Sequence, residues 1–295
     1  MKPYSSFSRI YDICMDNVPY DEWSAGLCGI MRKMNVPDGS IVTDLGCGTG
    51  EISRRLRDAG YDVIGIDVSE EMLMVAQDKE YERLDDLYGE NEPGNEETGR
   101  ITYLCQDIRS FELYGTTAAV VSVCDTLNYL LTEDELVKTF RLVNNYLERD
   151  GVFIFDMKAP RYYSRVLGDG VRVEDYETAT LIWDNAYDEN TGRNEYRITM
   201  FLRDDGKDNR AGCAEQTIVR NKSELPGNDG ERYIRSDEIH VQRAYPLTEI
   251  RRLLEESGMV FVAAYDGYTE NPADEQTERY VIVAREGFQT NKFYG

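Results

Sequence analysis

The chain has 295 residues, 41% of them hydrophobic and 30% charged, enough material for one large α/β domain or for a domain carrying an insertion. Its formal net charge of −23, from 33 Lys and Arg against 56 Asp and Glu, opposes binding to a polyanion, and no basic cluster offsets it. The acidity therefore disfavours nucleic-acid partners, and none is expected, but it selects no substrate.

The chain opens with MKPYSSFSRIYD, which lacks a basic-then-apolar leader, and no apolar run reaches membrane-spanning length. A cytoplasmic protein with no membrane partner is expected. The segment FSRIYDICMDNVPYDEW (7–23) places Tyr11, Tyr20 and Trp23 ahead of the first strand, and core packing alone would account for such aromatics. The six cysteines, Cys14, Cys28, Cys47, Cys105, Cys124 and Cys213, form no C-x-x-C pair. With a single histidine, His240, they predict reduced thiols and no metal site.

From Ile41 to Met157 apolar runs alternate with helical patterns. Strands are predicted at 41–45, 62–67, 101–107, 119–125 and 151–157, and helices at 52–60, 69–84 and 132–148. Ser69 and Thr132 are the expected N-caps of the last two helices, with acids in the first turn of each. Near-continuous apolar strands between helices specify a parallel sheet covered on both faces. The acidic stretch YGENEPGNEETGR (88–100) reads as a surface loop.

From about 171 to 245 the period changes to two. In NEYRITMFL (194–202), Tyr196, Ile198, Met200 and Leu202 share one face, and DENTG (188–192) turns the chain back from TATLIWDNAY (178–187). After the loop KSELPGNDG, the strand candidate 232–245 places Glu238, His240 and Gln242 on one face and Ile239, Val241 and Arg243 on the other. A helix then follows Pro246, with Thr248 as its expected cap and Gly258 as its stop, before strands at 259–266 and 279–286. The expected fold is α/β, a doubly wound, mostly parallel sheet interrupted by an antiparallel β insertion.

The run TDLGCGTGE (43–51) ends a strand in three glycines, Gly46, Gly48 and Gly50, the layout of a nucleotide-binding βα unit. The dinucleotide fingerprint G-x-G-x-x-G fails here, because Glu51 stands where its third glycine belongs. An acid at a helix start also opposes a pyrophosphate. Asp67 closes the second strand 21 residues beyond Gly46, the place of a carboxylate that accepts ribose hydroxyls. The site wants a ribose without phosphates, and S-adenosylmethionine (SAM), an adenosine bearing a sulfonium cation, satisfies that. A dehydrogenase is the competing reading of the same fold.

These residues resemble the class I SAM-dependent methyltransferases. TDLGCGTGEIS is similar to their first motif, GIDVSEEMLMVAQ to their second, and YLCQDIRSF to the segment that holds the adenine. The resemblance covers about 1–160 and 246–295 and implies a seven-stranded Rossmann-like sheet. It implies that Gly46, Cys47 and Gly48 lie against the methionine part of SAM, with Asp44 toward its amino group. Asp67 would accept both ribose hydroxyls, with Val68 and Met72 beside the cofactor. Gln106, Asp107 and Ile108 would hold the adenine, and Cys124 with Asp125 would mark the strand end facing the cofactor.

The N-terminal segment further resembles that of small-molecule N-methyltransferases acting on glycine or amino sugars, in which a tyrosine and a tryptophan close over SAM. Tyr11, Tyr20 and Trp23 are the matching positions. The insertion resembles the substrate-covering β subdomain of the same subgroup. The expected organisation is a SAM-binding methyltransferase domain, 1–165 with 246–295, and an inserted β lid, 166–245. The implied reaction is methyl transfer to a small-molecule acceptor at nitrogen, with His240 or Tyr129 as a base if the acceptor arrives protonated. His240 would look into the substrate cleft, with Tyr129 and Asn128 on the opposite wall. The alternatives are methylation of a protein or RNA, or nucleotide binding without methyl transfer. Oligomeric state stays open between monomer and dimer.

Overall fold

The apolar runs at 41–45 and 62–67 become neighbouring parallel strands because each is buried on both faces and the chain returns between them through a helix. The computed structural model describes residues 11–88, 99–204, 217–220, 232–288 and 292. Cys213, the loop KSELPGNDG and residues 89–98 of the acidic stretch lie outside these. The first half runs α1 (Tyr11–Cys14), α2 (Tyr20–Lys33), β1 (Ile41–Leu45), α3 (Glu51–Asp58), β2 (Asp62–Asp67) and α4 (Glu70–Tyr88). It continues through β3 (Ile101–Cys105), β4 (Thr117–Ser122), α5 (Glu133–Tyr146) and β5 (Leu147–Lys158). Ser69 Oγ accepts the Met72 N–H at 3.2 Å, and Thr132 with Glu135 forms a reciprocal capping box, so both predicted caps are present.

A π-helical turn (Tyr162–Leu167) leads into the second sheet: β6 (Gly170–Asp175), β7 (Ala179–Asp188), β8 (Arg193–Arg203), β9 (Thr217–Arg220) and β10 (Arg232–Arg243). These strands are antiparallel in the order β6-β7-β8-β10-β9. The predicted hairpin closes with Asp188 opposite Arg193. Along β8, Tyr196, Ile198 and Met200 are buried against Leu181 and Tyr163, the face that alternation assigns to the core. On β10 the pattern inverts. Glu238, His240 and Gln242 are buried while Ile239 is 52% exposed. Burial of three polar residues in preference to an isoleucine marks a face that serves something other than packing.

The chain then returns through α6 (Leu247–Glu256), β11 (Val260–Asp266) and β12 (Arg279–Arg285). Thr248 does not cap α6. The helix starts directly after Pro246, whose carbonyl accepts the Glu249 and Ile250 N–H groups at 2.9 and 3.1 Å, and Thr248 lies within the first turn. Gly258 ends the helix in the left-handed region (φ 83°), as expected. The large sheet has the order β11-β12-β5-β4-β1-β2-β3, with β5 through β3 parallel and β12 antiparallel to both neighbours. On one face Leu45, Val120, Phe153 and Phe155 pack against Phe140 of α5 and Leu253 of α6. On the other, Val42, Val121 and Ile154 meet Leu27 and Met31 of α2 and Leu56 of α3. The strand order reverses between β1 and β4, and the crevice beyond their carboxyl ends is where an open α/β sheet binds ligands.

Candidate active site

Beyond β1 the chain turns through Gly46, Gly48 and Gly50, all with positive φ (74°, 53° and 79°). Gly46 tolerates no side chain, because a Cβ there would sit 2.2 Å from Thr126 Cγ2. The Gly46 and Cys47 N–H groups donate to Ile66 O at 2.7 and 3.0 Å, which docks the turn on the end of β2. Asp67 accepts Gly48 N–H and Ser69 N–H at 2.9 Å each, one on each oxygen, so its carboxylate is fixed at the strand end with lone pairs to spare. Burial raises its pKa, and those N–H groups oppose the rise.

Asp44 is fully buried beneath the loop. Its Oδ2 accepts the Ser53 hydroxyl at 2.7 Å, whereas Oδ1 has no hydrogen-bond partner among the described residues. Burial pushes this carboxyl up to about 7. Cys47 is likewise buried, and burial raises its thiol well above the ordinary range. Met72 is buried on α4, its Cε 3.9 Å from the point where a Gly48 Cβ would stand.

The residues expected around an adenine divide. Val68 is 66% exposed at the rim. The Gln106 amide spans its own turn, donating to Glu112 O at 3.2 Å and accepting Glu112 N–H at 2.7 Å. Asp107 takes the Arg109 guanidinium on both oxygens, at 3.1 and 2.6 Å on Oδ2 and 3.0 Å on Oδ1, which lowers its pKa. Arg109 continues to Glu135 at 2.6 Å. Ile108 packs against the large core. The Gln106 and Asp107 side chains, directly after β3, are thus engaged by neighbours.

Two of the three N-terminal aromatics reach the glycine turn. Tyr11 and Tyr20 line a small cavity of about 20 Å³ together with Asp44, Gly46, Gly48 and Cys124. Asp12, beside Tyr11, accepts the Thr49 hydroxyl at 2.6 Å and pairs with Lys79 at 2.6 Å, fastening α1 across the turn. Trp23 does not line this cavity. It stacks on Tyr268 (centroids 4.8 Å apart, 19°) with the Arg279 guanidinium 4.8 Å over its ring. One helical turn beyond Tyr20, its ring faces β12 instead.

At the end of β4, Cys124 and Asp125 both adopt positive φ (56° and 64°), an uncommon pair for residues with side chains. A buried carboxylate holds this elbow: Asp156 accepts Cys124 N–H at 3.1 Å and Asp125 N–H at 2.9 Å. It also accepts the Tyr268 hydroxyl at 2.7 Å and pairs with Arg279 at 3.0 Å. Arg279 bonds the Asp125 carboxylate as well, and Lys158 meets its other oxygen at 2.7 Å. Burial penalises the Lys158 ammonium, but Asp125 more than compensates and its pKa is raised. Asp156, Lys158 and Arg279 went unnoticed in the sequence because each sits at or near the end of an ordinary apolar strand.

From this elbow a larger cavity of about 460 Å³ opens beneath the second sheet. Tyr11, Cys124, Tyr129, Lys158, His240 and Gln242 are among the residues lining it. Tyr129 Oη lies 3.0 Å from His240 Nδ1, and His240 Nε2 lies 3.1 Å from Glu238 Oε2. Asn128 is not on the wall. It is fully buried, donating to Arg243 O at 2.8 Å and Lys158 O at 3.3 Å while accepting Lys158 N–H at 2.9 Å, and so ties β5 to β10.

Comparison with known proteins settles what this architecture is. A family model described as a methyltransferase domain matches residues 42–151. The Bacillus subtilis (strain 168) protein YqeM, named as a methyltransferase, is 30% identical over 283 residues, 96% of each chain. This chain belongs to the class I SAM-dependent methyltransferases. A SAM-dependent methyltransferase structure from Clostridium acetobutylicum superposes with a TM-score of 0.74 at 26% identity, covering 97% of this chain and 100% of that one. A dTDP-3-amino-3,4,6-trideoxy-alpha-D-glucopyranose N,N-dimethyltransferase of Streptomyces venezuelae is 27% identical over 173 residues, 57% of this chain and 64% of its own. The methyltransferase uses SAM as its cosubstrate, and the dehydrogenase reading falls. No helix among the described residues of the methyltransferase is long and apolar enough to cross a membrane.

Proposed function

We propose that this methyltransferase modifies a small molecule at nitrogen, with residues 1–165 and 246–295 holding SAM and residues 166–245 covering the acceptor. One observation carries the reading. The roofed 460 Å³ cavity meets the glycine-turn cavity at Tyr11 and Cys124, which line both. That volume lies in the range of small-molecule sites, about 300–1,000 Å³. The Streptomyces relative, an N,N-dimethyltransferase of an amino sugar by name, supports nitrogen as the acceptor atom. The test is methyl transfer from radiolabelled SAM to the dialysable and the retained fractions of a cell extract. Label confined to retained protein or RNA would overturn the proposal.

The residues present fit the cosubstrate. Asp44 Oδ1, buried without a hydrogen-bond partner, suits an ammonium group, and the lone pairs of Asp67 suit a ribose. Tyr11 and Tyr20 line the cavity at the glycine turn, and the Arg55 guanidinium lies 5.4 Å over the Tyr20 ring; a Tyr11 ring face against the sulfonium would be worth about 0.5–2 kcal/mol of cation–π attraction. When bound, SAM supplies a methyl group already activated by the sulfonium. The protein's work is to align the acceptor and exclude water, and Tyr129 and His240 are the groups placed to take a proton.

The position of Asp44 sets a pH dependence. With its carboxyl raised to about 7 by burial, the unliganded site is protonated below that value. Pairing with an ammonium requires the ionised form, so binding below pH 7 must release a proton. SAM affinity is expected to fall about tenfold per pH unit below 7 and to level off above it. Calorimetry in buffers of different ionisation enthalpy measures that proton release, and Asp44→Asn should abolish it. A flat affinity from pH 5.5 to 8 would remove Asp44 from the amino-group site.

The Asp12 latch predicts a kinetic effect. Asp12 fastens α1 across the glycine turn, so exchange of SAM there is expected to require α1 to lift. Asp12→Ala removes the bonds to Thr49 and Lys79. Stopped-flow fluorescence should then show association and dissociation of SAM both faster, by about tenfold, with little change in their ratio. Unchanged rates would show that the latch does not control entry.

A further inference from the structure

Along β10, Glu238 and His240 are each 2% exposed. Together with Tyr129 they form a file: carboxylate, imidazole, phenol, with contacts of 3.1 and 3.0 Å. Tyr129 and His240 line the large cavity and Glu238 stands behind them. A carboxylate can only accept, so Glu238 assigns the ring proton to His240 Nε2. Nδ1 is then the bare nitrogen, and it accepts the Tyr129 hydroxyl. Gln242, next on the same face, has a different duty. Its Oε1 accepts the hydroxyls of Tyr163 and Tyr196 at 2.8 and 3.1 Å, fastening the sheet to the π-helical turn.

Resting on the reading of that cavity as the acceptor site, we propose that Tyr129, His240 and Glu238 form a proton relay for an acceptor that arrives as an ammonium ion. Tyr129 is the group that touches the acceptor, and Glu238 is a positioning residue that sets the direction of transfer. As an acceptor N–H bond breaks, its proton bonds to Tyr129 Oη, while the Tyr129 hydroxyl proton passes to His240 Nδ1. The nitrogen keeps the electron pair and uses it for the new N–C bond, and the C–S bonding pair leaves with sulfur. The positive charge given up by the ammonium ends on an imidazolium held against the Glu238 carboxylate, where an ion pair replaces a hydrogen bond from the neutral ring. The cavity suits a cationic guest. Asp125 is already paired with Lys158 at 2.7 Å and with Arg279, but Asp169 and Glu174 also line it, against Arg172, whose guanidinium reaches the Val166 carbonyl at 3.1 Å.

His240 is the single histidine of the chain, so ¹⁵N-histidine labelling gives one imidazole to observe. In the full-length protein with S-adenosylhomocysteine, the neutral ring is expected to carry its proton on Nε2. Tyr129→Phe should keep that tautomer and shift only the Nδ1 resonance. Glu238→Gln, which presents an amide able to donate, should move the tautomer ratio toward Nδ1–H by about tenfold or more, the worth of a charge-assisted hydrogen bond. A wild-type ring protonated on Nδ1, or a ratio indifferent to Glu238→Gln, would overturn the relay. Methyl transfer to a hydroxyl acceptor with the Nε2–H tautomer intact would overturn the ammonium acceptor and the nitrogen reading together, and leave the direction of the relay supported.

Discussion

Replacing Arg279 with methionine is expected to cost about 3–5 kcal/mol of folding stability, the usual result of removing one partner from a buried ion pair. Arg279 faces two carboxylates, Asp125 and Asp156, and Lys158 replaces it only at Asp125. Asp156 is fully buried, and burial already raises its pKa. Without the guanidinium that rise must grow, so the folded variant holds a proton that the unfolded chain releases. A raised carboxyl of this kind contributes stability at low pH that is lost as pH climbs through the folded-state value. Urea unfolding should therefore show a deficit that is larger at pH 8 than at pH 5. A variant as stable as the wild type at both pH values would mean that the elbow at Cys124 and Asp125 is held by other contacts.

The second large effect concerns SAM itself. Asp67→Ala should weaken binding through the loss of two charge-assisted hydrogen bonds, each worth about 1.5–3 kcal/mol. Asp67 also accepts Gly48 N–H and Ser69 N–H, so some loosening of the glycine turn is part of the same change. Calorimetry on a variant shown to be folded by circular dichroism measures the loss. Unchanged affinity would remove Asp67 from the ribose site.

The parallel sheet could be read directly, because β1 and β2 are short apolar runs whose ends are fixed by Gly46 and Asp67. The β8 face and the inward row of Glu238, His240 and Gln242 were equally legible, since a period of two decides a strand's faces without knowledge of its neighbours. Helical spacing was less informative for Trp23. Tyr20 and Trp23 lie three residues apart on α2, but the pattern does not reveal that β12 supplies a guanidinium for the second ring to cover. Asp107 shows the same limit, because its position was legible and its Arg109 partner was not. The Asp156–Arg279 contact was beyond local reasoning. It joins strands far apart in the chain, and although Asp156 breaks the apolar run between Phe155 and Met157, nothing local points to Arg279 as its partner.

That long span bears on how the enzyme is made. Asp125 and Arg279 are 154 residues apart, and Arg279 opens the last strand of the large sheet. A chain emerging from the ribosome at about 5–20 residues per second presents the glycine turn and the elbow sequence well before the cation that locks the elbow. The interval is on the order of 8–30 seconds at that speed. During it, β5 lacks its β12 neighbour and exposes an apolar edge. Closure of the elbow therefore waits on β12, and a chain that stops before Arg279 is expected to lack the lock and to leave the β5 edge unpaired.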